Sequence, residues 1–407
     1  MTLRSKLLLN ILALVILGLG ITALLEIAAP ANTFVAPVGL VATTSLEEIS
    51  AASPVTAAST TLSAPSSNPK TKIATTPVAK VTKKSATQQV AGAAAPSSAT
   101  TSTGQGGSQA ARIQNPYPFE PESSDAVNSA ARAALVNILC TSRGSIHPIS
   151  ASGVVIDPRG VILTNAHVAQ YILLSEDQGV SLSCEVRTGS PAHPSWTAQV
   201  LYMPPVWVAA HASELNTPDP TGTGEHDYAL LLITGSADAA PLPGPPAGGF
   251  PSVPYDTRNA TGFAGEQVLV ASYPAEFLGG IQALNGLYAV SSVITIGQLL
   301  TFSQGSVDVF SLGGVIEAQS GSSGGAVVNP WGRLIGLITT TSEGATTVER
   351  DLHALTLSYI NGDIKTQSGS DLSTMLAGDL QAKLSDFNAH VFPDLFAQFA
   401  KQIKPAQ

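Results

Sequence analysis

The 407-residue chain contains few charged residues, few aromatic residues and only two cysteines. Charged side chains make up 12% of the sequence and aromatic side chains 5%. Together with abundant Ala, Ser, Thr and Gly, this composition fits a β-rich domain attached to a long low-complexity segment. No group of Cys and His has the spacing of zinc ligands, and the seven His are scattered, so we expect no metal site.

Basic residues are especially scarce after residue 120, where 11 Lys and Arg stand against 24 Asp and Glu. Residues 1–120 hold 8 basic and 4 acidic side chains, and the whole chain has a formal charge of −9. Binding to nucleic-acid phosphates requires clustered Lys and Arg, and no such cluster follows residue 112. The sequence therefore predicts no nucleic-acid partner.

The N-terminal segment, residues 1–31, has the features of a membrane-directing sequence. Residues 7–25 include one clearly polar side chain, and Arg4 and Lys6 precede them. A helix over this stretch would be roughly 28 Å long, close to the thickness of a bilayer core. Positive charge stays on the cytoplasmic side, so we expect the rest of the chain to be exported. The segment is either retained as a single-pass anchor or cleaved as a signal peptide at the Ala-Pro-Ala motif, 29–31, which gives a secreted protein.

Residues 32–124 are dominated by Ala, Ser, Thr, Pro and Gly and show no sustained helical or strand period. Such a segment buries too little apolar surface to offset the entropy of ordering, so we predict a disordered linker. A flexible stretch of about 93 residues has a typical end-to-end distance of about 55 Å. The linker would hold a folded domain well away from a membrane surface.

Beyond residue 125, short β-branched or apolar runs alternate with Gly, Pro, Asn and Asp, a pattern typical of a closed all-β fold. About a dozen strands are predicted, enough for two six-stranded antiparallel β-barrels in a domain over residues 125–365. The predicted strands are 134–140, 153–156, 161–164, 180–187, 198–202, 229–233, 266–272, 287–296, 307–310, 325–328, 334–340 and 352–359. The Pro-containing stretch 203–225 has no clear period and is predicted to be a surface insertion.

The C-terminal segment, residues 366–407, changes to helical spacing of apolar residues after Gly369. One apolar stripe begins behind Ser370 and Asp371, and Pro393 opens a second. We predict two amphipathic helices that pack on the barrels and cover apolar core. Binding to a partner or a membrane surface is the alternative for these stripes.

Two motifs place a histidine and an aspartate next to predicted strands. The segment SGVVIDPRGVILTNAHVAQ, 152–170, contains two short strands around a turn and delivers His167 behind the second. The segment HDYALLL, 226–232, places Asp227 at the entry of a buried strand. A histidine in this position is otherwise structural, and an aspartate there can simply cap a turn. Asp219, inside the 203–225 stretch, is the alternative carboxylate.

The third motif, QSGSSGGA at 319–326, contains a serine flanked by glycines and is followed by a predicted strand. Its Ser323 would act as a nucleophile only with a base to accept its proton and a carboxylate to orient that base. His167 and Asp227 supply these two groups. A Ser- and Gly-rich loop without chemistry is the alternative for the isolated motif.

In these three motifs and their order, the sequence resembles the chymotrypsin-like (trypsin-like) serine peptidases, and among them the bacterial HtrA/Deg-type enzymes. The resemblance covers about residues 130 to 360 and implies catalytic roles for His167, Asp227 and Ser323. The glycines would allow the amides of Gly321 and Ser323 to form an oxyanion hole. Thr339 stands where relatives commonly have a Ser, so its hydroxyl is expected to bind Asp227. No PDZ domain is recognisable after residue 365.

Two further positions bear on specificity and activation. Glu317 stands at the position of the specificity-pocket base, where an acid would favour basic substrate residues; a surface-facing side chain is the alternative. Ser322 replaces the aspartate that pairs with the freed N-terminus in trypsin, so activation by that route is not expected. Cys140 and Cys184 form either a disulfide, which would add roughly 4 kcal/mol by closing a long loop, or two buried thiols.

Taken together, the sequence predicts a serine endopeptidase that hydrolyses peptide bonds of extracytoplasmic proteins through an acyl-enzyme on Ser323, without a cofactor. Its partners would be protein or peptide substrates and, if the N-terminal segment is uncleaved, the membrane. A catalytically silent barrel that serves as a tethered binding or chaperone-like module is the main alternative. An esterase of the α/β-hydrolase type is disfavoured because its triad follows the order Ser, acid, His.

Overall fold

The computed structural model describes residues 115–144, 146–217, 222–238, 245–259, 261–302 and 305–403. The predicted signal or anchor segment, most of the predicted linker and Asp219 lie outside these residues. None of the helices in the described ranges is both long and apolar enough to cross a bilayer.

The described chain contains thirteen strands, eight α-helices and a short 3₁₀ turn. The strands are β1 Leu135–Ser142, β2 Ile149–Asp157, β3 Val161–Thr164, β4 Leu182–Thr188, β5 His193–Tyr202, β6 Ala229–Ser236, β7 Gln267–Ser272, β8 Val290–Thr295, β9 Leu299–Leu300, β10 Val309–Ser311, β11 Ala326–Val328, β12 Leu334–Thr341 and β13 Leu352–Thr356. The helices are α1 Ser124–Ala134, α2 Ala166–Ser175, α3 Pro205–His211, α4 Gly280–Asn285, α5 Leu357–Ser368, α6 Leu372–Leu376, α7 Leu380–His390 and α8 Phe392–Ala400.

The first six strands form a closed antiparallel barrel in the order β1-β2-β3-β6-β5-β4. Its interior is filled by Val, Ile and Leu side chains, as the alternating apolar pattern predicts. Strand β3 pairs with β6 in a register that sets Thr164 opposite Ala229. This pairing brings the end of β3 next to the start of β6. The segment after β3, which contains His167, therefore lies close to the segment before β6, which contains Asp227.

A disulfide between Cys140 and Cys184 links β1 to β4 inside this barrel. The two residues are direct partners in the antiparallel register of these strands. The bond therefore joins neighbouring strands that hydrogen bonds already hold together.

The second half of the domain is a seven-stranded sheet in the order β8-β7-β11-β12-β13-β10-β9, which corrects the predicted second six-stranded barrel. The additional strand, β9, has only two residues and lies at one edge, while β8 lies at the other. Two residues offer too few backbone groups to pair with β8 as well as β10, so the hydrogen-bond ladder does not close. The sheet nevertheless encloses its own apolar cluster, which includes Val270, Phe310 and Val327.

The C-terminal helices begin earlier than the sequence pattern indicates. The predicted strand 352–359 ends at Thr356, whose side chain accepts a hydrogen bond from Tyr359 N and caps α5. The first predicted tail helix is divided into α6 and α7, and Gly378 between them has a left-handed φ of +78°. Leu372, Leu384 and Phe399 join the same apolar cluster as the barrel interior, so these helices cover core.

The 203–225 stretch, predicted as an insertion without regular structure, contains α3 and a following 3₁₀ turn. Pro205 occupies the first turn of α3, where its missing N–H costs nothing, and Trp207 and Val208 are buried.

The described part of the chain also begins inside the segment assigned to the linker. There Tyr117 stacks on Phe119 and its hydroxyl donates to Asp256 at 2.6 Å.

Candidate active site

Asp227 and His167 are joined by two hydrogen bonds at the junction of β3 and β6. The Asp227 Oδ1 atom accepts from the backbone N of His167 at 2.9 Å, and Oδ2 lies 2.7 Å from His167 Nδ1. His167 stands in the first turn of α2, immediately after β3, and Asp227 stands two residues before β6. The β3–β6 register therefore places the two side chains side by side, although 60 positions separate them in sequence.

Two more side chains fix Asp227 in this position. Thr339 Oγ1 on β12 donates to Asp227 Oδ2 at 2.9 Å, the contact expected from the resemblance. Asn165 Nδ2 donates to the Asp227 carbonyl at 2.8 Å. The carboxylate thus accepts from a backbone N–H, an imidazole and a hydroxyl, a set that satisfies a buried negative charge.

The electrostatics of the pair follow from its surroundings. Burial alone would lower the pKa of His167, but the charge and the hydrogen bond of Asp227 outweigh it, so this pKa lies above its ordinary value. Burial alone would raise the pKa of Asp227, but His167 and the hydrogen bonds to the carboxylate hold it below its ordinary value. Asp227 is therefore ionised, and the proton on the imidazole lies on Nδ1.

Ser323 lies on the loop before β11, and its side chain lines the same cleft as His167 and Asp227. Its Oγ donates to the Thr339 carbonyl at 3.4 Å. No hydrogen bond within the described residues joins this hydroxyl to the imidazole. Serine–imidazole contacts are often long in unliganded sites and tighten when substrate binds.

The loop that carries Ser323 has two backbone amides without acceptors among the described residues, those of Gly321 and Ser323. The neighbouring amides are bonded: Ser320 N to Glu276 Oε2, Ser322 N to the Gln319 carbonyl and Gly324 N to the Ile338 carbonyl. Gly321 has a φ of +97°, a conformation that glycine adopts readily. Two free amides beside the serine can bind an oxyanion.

Ser152 on β2 anchors this loop to the first barrel, a role that the sequence analysis missed. Its N donates to the Ser323 carbonyl at 2.8 Å and its Oγ donates to the Gly321 carbonyl at 2.8 Å. The same Oγ accepts from Tyr273 N at 2.8 Å. Ser152 is fully buried, and its position in the first motif, just before Gly153, gave no signal that it bonds a loop about 170 residues away.

Glu317 and Ser322 are both buried beside this loop. Glu317 is fully buried, and its Oε2 accepts from Ser292 Oγ at 3.0 Å. Ser292 lies on β8, so the carboxylate contacts that strand. Glu317 therefore does not face the surface, and it is not one of the residues that line the cleft of His167 and Ser323. Ser322 Oγ accepts from Ser272 Oγ at 2.9 Å, a neutral contact in place of an ion pair.

An ion pair also borders the cleft next to the serine loop. Arg350 binds Glu276 through both of its terminal nitrogens, at 2.6 and 2.7 Å. The carboxylate of Glu276 also accepts a hydrogen bond from Ser320 N, so the ion pair is bound to the start of the Ser323 loop. Among the described residues no group of three or more His, Cys, Asp or Glu side chains has an arrangement that could hold a metal ion.

Residues 151–337 match a family model described as a trypsin-like peptidase domain. This region is a trypsin-like peptidase domain. The matched residues include His167, Asp227 and Ser323 as well as Gly321. The chain is accordingly a serine endopeptidase, with proteins or peptides as its substrates.

The peptidase domain is also similar to two solved structures. The serine endoprotease from Yersinia pestis shares 20% identity over 61% of this chain and 68% of that chain, with a TM-score of 0.38. The inactive form of the Rv3671c protease shares 19% identity over 61% of this chain and 98% of that chain, with a TM-score of 0.35. Both likenesses are too distant to bear on individual site residues. No curated protein matches the chain.

Proposed function

We propose that Ser323, His167 and Asp227 are the nucleophile, base and orienting acid of this peptidase. The observation that carries the proposal is the double contact of Asp227 with the N and Nδ1 atoms of His167, at 2.9 and 2.7 Å. Such a contact leaves Nε2 of the imidazole unprotonated and available as a base.

The mechanism follows from these positions. Ser323 Oγ attacks the carbonyl carbon of the peptide bond while His167 Nε2 takes the hydroxyl proton. The oxygen of the tetrahedral intermediate accepts from the amides of Gly321 and Ser323, for which the described part of the chain offers no other acceptor. His167 then protonates the leaving amine, and a water molecule repeats the sequence to release the acyl group from Ser323. Asp227 stabilises the imidazolium in both steps.

The proposed substrates are proteins outside the cytoplasm, reached by a domain that is either anchored or secreted. The apolar stretch 7–25 behind Arg4 and Lys6 supports export. The disulfide between Cys140 and Cys184 is also typical of an oxidising compartment. The Thr-x-Ala-His context of His167 favours a relationship to HtrA/Deg-type peptidases.

A Ser323→Ala substitution tests the assignment. We expect loss of about six orders of magnitude in kcat on a casein or peptide-library substrate and loss of covalent labelling by a fluorophosphonate. Ser385→Ala is the matched control, because Ser385 lies on α7 and its one hydroxyl bond within the described ranges is to the Gln381 carbonyl of its own helix. Peptidase activity and labelling should be unchanged in this control.

Two outcomes would contradict the proposal. Labelling that persists in the Ser323→Ala protein would place the nucleophile elsewhere. A wild-type protein that neither cleaves protein nor reacts with the fluorophosphonate, while folded, would favour a binding module. Folding of each protein is checked by thermal unfolding.

A further inference from the structure

A cluster of polar side chains on α5 lies directly behind the segment that carries Asp227. Asp363 Oδ2 accepts three hydrogen bonds there, from His226 Nδ1 at 2.8 Å, Tyr228 OH at 2.8 Å and Gln367 Nε2 at 2.7 Å. The side chain of Asp363 is only 9% exposed. Two of its three partners are the residues immediately before and after Asp227.

The backbone of this segment adopts a conformation that needs support. His226 has a φ of +60°, in the left-handed region that residues with a Cβ seldom occupy. Its backbone N donates to Tyr359 OH, also on α5, at 3.0 Å. Such a conformation persists only where surrounding contacts hold it, and α5 provides contacts of this kind.

The flanking side chains and the Asp227 carboxylate point to opposite sides of the chain. His226 and Tyr228 reach α5, whereas Asp227 reaches His167 and Thr339. Fixing the residues on both sides of Asp227 fixes the direction of its own Cα–Cβ bond. The Asp363 carboxylate is thereby connected, through His226 and Tyr228, to the Asp227–His167 hydrogen bond, in which it takes no part itself.

We propose that Asp363 is a positioning residue for the catalytic triad, acting through His226 and Tyr228 to hold Asp227 against His167. The inference deepens the function proposed above and rests on it. It assigns a functional role to a helix that follows the matched peptidase region, whose other visible role is to cover the core.

Two tyrosines and a glutamate are the other titratable groups next to this cluster. Tyr228 is fully buried, and burial and the nearby Tyr202 and Asp363 raise its pKa, so it remains a hydroxyl donor. Burial raises the pKa of Tyr359 as well. Glu225 Oε1 lies 3.8 Å from His226 Nε2, on the side of the imidazole away from Asp363.

Asp363→Asn is the direct test, because the amide keeps the size of the side chain and loses its charge. We expect kcat on a peptide substrate to fall about 10- to 100-fold with KM nearly unchanged. The acid limb of kcat/KM should also move to lower pH, since a displaced Asp227 no longer raises the pKa of His167. The pH dependence of fluorophosphonate labelling provides the same limb without a known substrate.

Two further variants keep the test decisive. Tyr228→Phe removes one hydroxyl of the cluster and should shift the acid limb in the same direction by a smaller amount, even if Asp363→Asn fails to fold. Asp386→Asn is the matched control: Asp386 lies on the next long helix, its side chain is 74% exposed, and His390 is its one side-chain partner among the residues that the structure describes. Its rates and its pH profile should equal those of the wild type.

A purely structural role would give a different pattern. If Asp363→Asn and Tyr228→Phe only lower the number of active sites counted with fluorophosphonate, and the acid limb stays in place, the positioning role is refuted. Failure of the proposed function would look different. Either the wild type would not be labelled at all, or labelling would survive in the Ser323→Ala variant.

Discussion

The two halves of the peptidase domain hold their parts of the site by different means. In the first barrel, His167 and Asp227 are joined by hydrogen bonds to the Asp227 side chain, and Thr339, from β12 of the second sheet, adds a third donor to the carboxylate. In the second sheet, the Ser323 loop is held mainly through its backbone, by bonds between its carbonyls and Ser152 and between Gly324 N and Ile338. Activity should therefore be sensitive to changes of functional group at His167 and Asp227, and to added bulk near the backbone of the Ser323 loop.

This difference follows from what each half must present. A base and its acid work through charged side-chain atoms, which only other side chains or a helix N–H can orient. An oxyanion hole works through main-chain N–H groups, so the loop must keep these free while its carbonyls are bonded. Gly324 shows how close the packing becomes: a Cβ added there would collide with the Ser152 carbonyl and Thr164 Oγ1.

The largest effect that would test the comparison is expected from Asp227→Asn. The amide keeps the shape but removes the charge and favours the wrong imidazole tautomer, so kcat should fall by about 10⁴. The pKa of His167 should also fall, which moves the acid limb of kcat/KM to lower pH. Stopped-assay kinetics between pH 5 and 9 measure both changes.

The control for this substitution is Asp394→Asn, an acidic residue in the first turn of α8. It should leave kcat and the acid limb unchanged. A loss in Asp227→Asn smaller than tenfold would mean that another group orients His167.

An intermediate effect is expected from Gly321→Ala, which adds bulk to the loop without removing a functional group. The new Cβ would lie 2.7 Å from the Tyr273 carbonyl and 2.8 Å from Ala275 N, at a φ of +97°. Displacement of the Gly321 amide should lower kcat by about 10²–10³, the cost of one oxyanion donor. Steady-state kinetics and the rate of fluorophosphonate labelling should fall together.

Gly265→Ala separates backbone strain from the collision. Gly265 has a φ of +87°, but nothing lies within 4 Å of an added Cβ. It should lower the melting temperature and leave kcat near the wild-type value. Equal losses of kcat in both variants would refute the role given to the loop backbone.

The smallest effect is expected from Glu176→Gln and concerns stability. Burial raises the pKa of Glu176 from 4.5 to about 7, and its one hydrogen bond, from Val200 N at 3.3 Å, offsets this only in part. The folded state thus binds this proton more tightly than the unfolded state, and the free energy of unfolding decreases as pH rises from about 4.5 to about 7. The variant should gain about 3 kcal/mol over the wild type at pH 8 and nothing at pH 4.

Urea unfolding at the two pH values measures this difference. Counting donors in the described part of the chain, the Asp227 carboxylate has three and the Glu176 carboxylate has one, so the charge of Glu176 is less well compensated. An equal gain at both pH values would mean that the packing of the amide, and not charge, is responsible.

The sequence motifs pointed to the residues proposed as catalytic, but not to the residues that support them. His167, Asp227 and Ser323 each stand in a local pattern of strand, turn and glycine, and such patterns are readable one segment at a time. Ser152 and Asp363 gave no signal, because their partners lie about 170 and 135 positions away. Their contacts exist only once the two halves and α5 have packed together.

The fold was predicted in the same uneven way. All twelve predicted strand regions contain strands, since apolar alternation marks them locally. The sequence analysis missed β9, which is two residues long, and the helices α1 to α4. It also missed α5, whose first residues continue the apolar pattern of β13. It also missed that the second sheet does not close, because closure depends on strand length and register rather than on any one segment.

The structure of a fluorophosphonate adduct would test the account most directly. We expect the phosphorus to be bonded to Ser323 Oγ, one of its oxygens to lie within hydrogen-bond distance of both Gly321 N and Ser323 N, and His167 Nε2 to face Ser323 Oγ with its contact to Asp227 intact. An adduct on another residue, or a phosphoryl oxygen turned away from both amides, would contradict it.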